Sequence, residues 1–390
     1  MVEQRQFDIV ILGSGLVGLA TARALPEHLR ARTLLIDTQP LPDFEHPPHF
    51  RNGARTTALN RRTLDLLDAW DCPSLGDAGQ IRTIEVSQQG YWGTSLINAD
   101  AKAPSLGSVV ANTALQQSLY ASLTAQHSPT FRYQVEITHL EFTADAVKIS
   151  LSDDSTYNAA LLILADGGAS PWGARCGLQW REKDYHQVAF TLNIQRQQPT
   201  SHIAYERFTE QGSRALLPLG GRWQTVVWVV DAKEAPAITT WHANDWRTAI
   251  MRCFGYQDGC IEVCSTPLSY PLKSRFVSEQ ARSRLAVVGN GALTLHPIAG
   301  QGFNLHCRTV FELGQVLGCT DDPGSWATLQ QWQNRVQSDQ QQIATACDGL
   351  LTLFQSWHPS LAHVRGLGLQ TFNGLPWVPN WLTRRAMGFL

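Results

Sequence analysis

The sequence predicts an α/β architecture, α+β overall, and three patterns predict it. A strand–helix–strand unit opens the chain, short alternating strands fill its middle, and the C-terminal part reads as helices. The segment FDIVILG (7–13) is an unbroken apolar run ending in glycine, as a strand buried on both faces requires. A helix is expected from Leu16 to Leu25, where Pro26 stops its extension because proline lacks the N–H and crowds the preceding turn. RTLLID (32–37) is a second buried strand closed by an acid, and TQPLP after it has loop composition. Strand, helix and strand within about 30 residues form a βαβ unit whose strands run parallel.

Further along, NRRTLDLLDAW (60–70) has apolar residues at 64, 66, 67 and 70, the spacing of an amphipathic helix. IRTIEVSQQG (81–90) alternates like a strand, and NTALQQSLYASL (112–123) puts Leu115, Leu119 and Leu123 on one helical face. AALLILA (159–165) is a further buried strand. From about 181 to 275 the pattern is HQVAFTLNI, RALLPLG and WQTVVWVV, an antiparallel sheet. Residues 285–305 return to strand, loop and helix. The expected division is a discontinuous nucleotide-binding domain (1–75, 106–180 and 280–324), a substrate domain (76–105 and 181–279) and a helical C-terminal region (325–390).

Composition narrows the function. At 390 residues, with 43% apolar and 16% charged residues, the chain can bury more than one core. A net charge of −2 with scattered basic residues excludes a nucleic-acid footprint. The N-terminus lacks the pattern of a secretory signal, and no run reaches the roughly 18 apolar residues of a membrane span. Eight dispersed cysteines, among them Cys260 and Cys264, complete no metal-binding pattern. No metal is expected, and free thiols in a reducing cytoplasm are.

Gly13-Ser14-Gly15-Leu16-Val17-Gly18 fits G-x-G-x-x-G between a predicted strand and helix. The first glycine permits the tight turn, the second lets a pyrophosphate approach the backbone, and the third allows close helix–strand packing. The helix N-terminus faces the phosphate charge. Asp37, 19 residues after Gly18, is placed to accept hydrogen bonds from a ribose diol. These features make the domain Rossmann-like; they do not separate FAD from NAD.

Two later segments do. LLILADGGAS (161–170) and LAVVGNGALTLHPIAGQGFNL (285–305), with its H-P-x-A-G-Q-G-x-N-L core, resemble segments of the flavoprotein aromatic hydroxylases. ARTTALN (54–60), LGSVVANTALQQSL (106–119) and ERFTEQGSRALLPL (206–219) are similar to further segments of the ubiquinone-biosynthesis group of that family. The resemblance implies a Rossmann-like FAD-binding domain of the aromatic hydroxylase type. It implies FAD as cofactor, NAD(P)H as reductant co-substrate, and O2 and a polyprenylated phenol as substrates. In that chemistry oxygen passes from a flavin C4a-hydroperoxide to the ring, and the protein supplies orientation, exclusion of water and electronic tuning.

The resemblance also implies site residues. Gly13, Gly15, Gly18 and Asp37 would hold the ADP end of FAD. Asp166 and Gly167 would lie near the pyrophosphate and the reductant, where an ordinary strand-end turn is the alternative. Arg55 would meet the pyrophosphate or the flavin edge, or else form a surface ion pair. Asn290 stands where an aspartate is usual, and its amide would accept one ribityl hydrogen bond and donate another. Pro297 would line the reactive face of the flavin. Gly300, Gly302, Phe303 and Asn304 would form a loop entering a helix, the amides of Phe303 and Asn304 facing the flavin. His296 reads better as a packed loop histidine than as a catalytic base. Phe190, Trp223 and Trp228 are candidates for the substrate wall or for the core.

Several positions depart from the family pattern: Gly173 and Arg175 after Ser170, Ala111, and His306 and Thr309 after Asn304-Leu305. They leave two other readings open, a hydroxylase of a soluble phenol and a non-catalytic subunit of a quinone-biosynthesis complex. The Trp-rich tail (350–364 and 376–390) would face a membrane surface or partner proteins, or pack on its own domain. The expected location is the cytoplasm or the periphery of the inner membrane.

Overall fold

The computed structural model describes residues 5–75, 78–91, 93–99, 104–124, 127–256, 258–297, 300–355 and 387–388. The opening unit forms as expected: strand Arg5–Leu12, helix Leu16–Ala24 and strand Thr33–Ile36, the two strands parallel. Pro26 ends the first helix and begins a short second one, Glu27–Arg30. The fixed φ of proline suits a helix start, whereas its missing N–H forbids a helix interior.

The strands Thr130–Arg132, Thr33–Ile36, Arg5–Leu12, Thr156–Leu164 and Leu285–Val287 lie side by side in parallel. Segments more than 100 residues apart thus share one sheet, because both faces of each apolar strand must be covered. One face packs the helices Leu16–Ala24, Asn112–Thr124 and Gly302–Leu317, burying Leu19, Leu115, Leu119, Val310 and Leu313 with the sheet residues Ile9, Ile11 and Leu161. The other face meets the hairpin Ile137–Phe142 and Val147–Leu151, together with Trp172 and Leu178.

Among the described residues the second sheet has nine strands and includes Trp180–Arg196, Ile203–Thr209, Gly212–Gly220, Trp223–Asp231 and Leu268–Val277. Alternation along it sorts the residues. Phe190, Leu192 and Ile194 face helix Ala243–Phe254 and its Trp246, while Gln187, Ala189, Thr191 and Asn193 take the opposite face. Phe190 and Trp228 are therefore core: both are buried in the cluster around Trp246. Trp223 stays half-buried against His49 and Phe50, at ring separations of 5.4 and 5.7 Å.

Helix Trp326–Gln355 closes the structure. Trp332 donates its indole N–H to the Thr309 carbonyl at 3.0 Å, and Asp339 forks onto the buried Arg308 at 2.9 and 3.3 Å. Farther along, Asp348 accepts from Tyr185 Oη at 2.7 Å and from Lys183 Nζ at 2.9 Å. Thr309, one of the family departures, takes part in a buried amide–hydroxyl network with Gln340 and Gln280 that fastens this helix. All eight cysteines are free. No helix among the described residues is long and apolar enough to cross a membrane. Of the tail segments, 356–364, 376–386 and 389–390 lie outside the described residues.

Candidate cofactor site

Three turns meet at the C-terminal edge of the parallel sheet. Gly13 has φ of +103° after strand Arg5–Leu12, and a Cβ there would lie 2.7 Å from the Ala165 carbonyl oxygen. A Cβ on Gly18 would lie 1.8 Å from the Gly13 carbonyl oxygen, so the helix can seat on the turn only with glycine at 18. Gly15 is different. It caps the helix in an extended conformation, and a Cβ on it would meet nothing within 4 Å. The open space lies before a helix N-terminus, where backbone N–H groups and the helix dipole favour an anion.

Asp37 closes the first turn from the side. Its Oδ2 accepts from the backbone N–H of Ser14 at 2.7 Å and from the Ser14 hydroxyl at 2.8 Å, and its Oδ1 accepts from Gln39 N–H at 2.9 Å. The carboxylate therefore holds the glycine loop and is left with spare lone pairs for a diol. Gln116 reinforces the loop by donating to the Ser14 carbonyl at 3.2 Å. Beside it runs a series of rings, Phe44, Tyr120, Phe131 and Tyr133, at successive separations of 5.6, 5.2 and 5.9 Å. Burial pushes the Tyr133 phenol up to about 12, so it stays neutral.

The second turn follows strand Thr156–Leu164. Asp166 turns back on its own loop, accepting from Gly168 N–H at 3.0 Å and Ser170 N–H at 2.9 Å, while Gly167 and Gly168 take φ of +70° and +77°. In the third turn, Gly289–Gly291, Gly291 abuts Gly168, and a Cβ on Gly289 would sit 3.1 Å from Val17 of the first helix. Gly173, a family departure, sits where a Cβ would come 2.7 Å from the Trp180 ring, and the exposed Arg175 stacks on Trp172 at 4.9 Å.

The second half of the site is the loop entering helix Gly302–Leu317. The first intrahelical bond runs from Leu305 N–H to the Gln301 carbonyl at 3.0 Å, so the amides of Gly302, Phe303 and Asn304 precede it and have no partner within the helix. A Cβ on Gly302 would meet nothing within 4 Å, whereas one on Gly300 would touch Ala58 Cβ at 3.2 Å. The Asn304 side chain serves as a clamp: Nδ2 donates to Ala58 O and Gly300 O, and Oδ1 accepts from Asn60 N–H, all at 2.9 Å. It thereby fixes the loop to strand Thr56–Asn60, next to Arg55. Gly314 lets this helix close onto Ala24, where a Cβ would lie 2.0 Å from the Ala24 carbonyl oxygen. The two helices run side by side and bring both N-terminal dipole ends to one edge of the sheet.

Arg55 is exposed and forms no ion pair among the described residues. Pro297 precedes the helix loop, half-buried, its carbonyl accepting from Gly300 N–H at 3.0 Å. His296 is buried edge-on against Tyr185, with ring centroids 5.0 Å apart and Nε2 3.2 Å from Gln187 Oε1. Burial pulls its imidazole down to about 4, which keeps it neutral. The Asn290 Oδ1 lies 3.2 Å from Nε2 of His306, so one of the two lone pairs of that oxygen is engaged within the protein, while the Nδ2 donors remain available.

The structure adds Ser14, Gln116 and Glu206 to the site, and gives His306, which the sequence marks only as a departure, a partner in Asn290. Glu206 lies on the sheet strand Ile203–Thr209. Its neighbours two residues away, Ala204 and Phe208, pack into clusters containing Ala58 and Leu305. Alternation therefore aims Glu206 at the space between sheet and helix loop, and burial pushes its carboxyl up to about 7. Its only sequence signal was membership of a family-like segment.

The family described as FAD binding domain matches residues 6–342. The chain belongs to that family. This FAD-binding chain is 30% identical to the 3-demethoxyubiquinol 3-hydroxylase of Escherichia coli, over 93% of each chain. It is 28% identical to the ubiquinone hydroxylase UbiL of Rhodospirillum rubrum, covering 98% of this chain and 90% of that one. It is 25% identical to the mitochondrial ubiquinone biosynthesis monooxygenase COQ6 of Xenopus tropicalis, covering 95% and 90%. Among solved structures, PqsL of Pseudomonas aeruginosa, a probable FAD-dependent monooxygenase, superposes with a TM-score of 0.74 at 16% identity, over 94% of this chain and 99% of that one. The p-nitrophenol 4-monooxygenase PnpA of Pseudomonas putida gives 0.75 at 14%, over 98% of both. The last two share the fold. The geometry fits FAD: a pyrophosphate cradle at Gly15, an acid beside it, and a second helix N-terminus for the anionic reduced ring.

Proposed function

We propose that this chain is an FAD-dependent monooxygenase that hydroxylates the aromatic ring of a polyprenylated phenol in ubiquinone biosynthesis, with NAD(P)H and O2. The observation that carries the reading is the pair of helix N-termini at one sheet edge, one behind the glycine loop and one behind the H-P-x-A-G-Q-G-x-N-L loop. FAD, when bound, supplies the oxygen chemistry. Gly13, Gly15 and Gly18 shape the phosphate cradle, and Asp37 orients it and takes the ribose. Asp166 and Gly167 hold the middle of the groove. Asn290 donates toward the ribityl chain. Pro297 walls the ring, and Gly300 and Gly302 bring the amides of Phe303 and Asn304 to it. His296 supports Pro297 by packing; it is too weak a base at neutral pH to gain from titration.

The aromatic substrate would lie against the sheet face of Thr191, Val227 and Ala215, which are neighbours across three adjacent strands. Association with a membrane surface or with other quinone-biosynthesis proteins suits a polyprenyl substrate. The test is FAD-loaded protein given NAD(P)H, O2 and a prenylated methoxyphenol, with product read by mass spectrometry. Hydroxylated product is expected. Oxidation of soluble phenols alone would move the reading to a soluble substrate, and protein that cannot be loaded with FAD would end it.

A further inference from the structure

We infer that Asn290 and His306 form one unit, in which His306 fixes the Asn290 amide with its N–H groups turned toward the cofactor. This chain then donates a hydrogen bond at a position where a carboxylate could only accept one. The two residues are separate departures from the family pattern in the sequence, 16 positions apart, and the fold brings them together. His306 stands in the second turn of helix Gly302–Leu317, buried, with Nε2 3.2 Å from Asn290 Oδ1. Asn290 is exposed on the turn Gly289–Gly291, which rests on Val17 behind the glycine loop. Thr294 Oγ1 holds the backbone of that turn by donating to the Asn290 carbonyl at 3.0 Å.

The chemistry follows from the donor inventory. A carboxamide has one acceptor oxygen and two donor hydrogens, and free rotation would let either end face the groove. A neutral imidazole carrying its proton on Nε2 accepts nothing there, so it pairs only with the oxygen and excludes the flipped amide. Burial keeps the imidazole neutral, so the pair forms without a buried charge. A glycine at 306 would leave the amide unoriented. An aspartate at 290 beside His306 would draw a proton onto the ring and place an ion pair under the cofactor.

The inference rests on the FAD site, and its test separates the two. Nitrogen-15 NMR of the imidazoles in the cofactor-free protein at pH 7 should show His306 as the neutral Nε2–H tautomer. In Asn290→Asp the same ring should titrate above pH 6. The Nδ1–H tautomer in the unmodified protein would overturn the assignment, whether or not FAD binds. FAD dissociation constants from flavin fluorescence then give the coupling. His306→Leu is expected to weaken binding roughly tenfold, as loss of one oriented hydrogen bond does. His306→Gln, which can still donate, should stay within about threefold. In an Asn290→Ala background, His306→Leu should have no further effect. Equal losses in both backgrounds would show that His306 acts through packing alone and refute the pairing. Protein that binds no FAD in any form would overturn the cofactor reading instead, and the tautomer would still decide the pair.

Discussion

Replacing Gly15 and Gly18 by alanine should separate cofactor binding from folding, although the two lie three residues apart in one motif. At Gly18 the new Cβ would be 1.8 Å from the Gly13 carbonyl oxygen, against a limit near 3.0 Å for real contacts. The obstacle is backbone, so helix Leu16–Ala24 or the turn must move by more than an ångström. Overpacking of this kind costs about 1–3 kcal/mol, and an unyielding partner puts this site at the upper end. At roughly 2 °C per kcal/mol in a chain of this size, the melting temperature of the cofactor-free protein should fall by about 6 °C. At Gly15 the backbone is extended and nothing lies within 4 Å of a Cβ, so alanine is accommodated and limits the unfolded chain. Stability should hold or rise by about 0.4–1 kcal/mol. The same methyl occupies the space in front of the helix N-terminus. Losing one charge-assisted phosphate hydrogen bond costs about 1.5–3 kcal/mol, which weakens FAD binding by roughly 10- to 150-fold. Calorimetry of the cofactor-free proteins and fluorescence titration with FAD measure both quantities. Gly15→Ala melting as early as Gly18→Ala, or binding FAD as tightly as the unmodified protein, would refute the separate roles of the two glycines.

Other consequences follow from buried charge and from the clasp of the last helix. Burial raises the Glu206 carboxyl from its usual range to about 7, so its stabilising contribution is complete below about pH 4.5 and is lost as pH rises through 7. Partial exposure keeps the effect to about 1–3 kcal/mol; melting curves of Glu206→Gln should therefore diverge upward from the unmodified protein between pH 5 and 8, and parallel curves would contradict this. His296 and His306 are both depressed to about 4, so their contribution is present above pH 6.5 and lost as pH falls toward 4. His296→Gln should flatten part of that acid loss and leave the pH dependence of turnover between 6.5 and 8.5 unchanged; a lost inflection in that range would restore a titrating role. Asp339→Ala leaves the buried Arg308 guanidinium without its fork and should cost about 2–4 kcal/mol by denaturant titration, whereas Asp339→Asn should cost less than half of that.

The nucleotide half of the protein was legible because its rules are local. An apolar strand ending in glycine, a helix stopped by Pro26 and an acid after the second strand lie within the first 37 residues, and each reports on its own backbone. The loop from His296 to Asn304 could likewise be recognised, since a backbone that must pass close to a ring tolerates few residue types. Alternation in HQVAFTLNI divided that strand into two faces but did not tell which face meets the core. Phe190 and Trp228 turned inward because helix Ala243–Phe254 covers their side of the sheet. Glu206, Ser14 and Asp348 were silent for the same reason: a carboxylate or hydroxyl gains its role from what lies across from it. Asn290 and His306 show the boundary most clearly. Each could be read in the sequence as a departure from a pattern, but the 3.2 Å contact that joins them exists only because helix Gly302–Leu317 is laid beside the turn at Gly289. Local backbone constraints are written in short spacings of residues, whereas side-chain pairing across elements is decided by how the apolar faces pack.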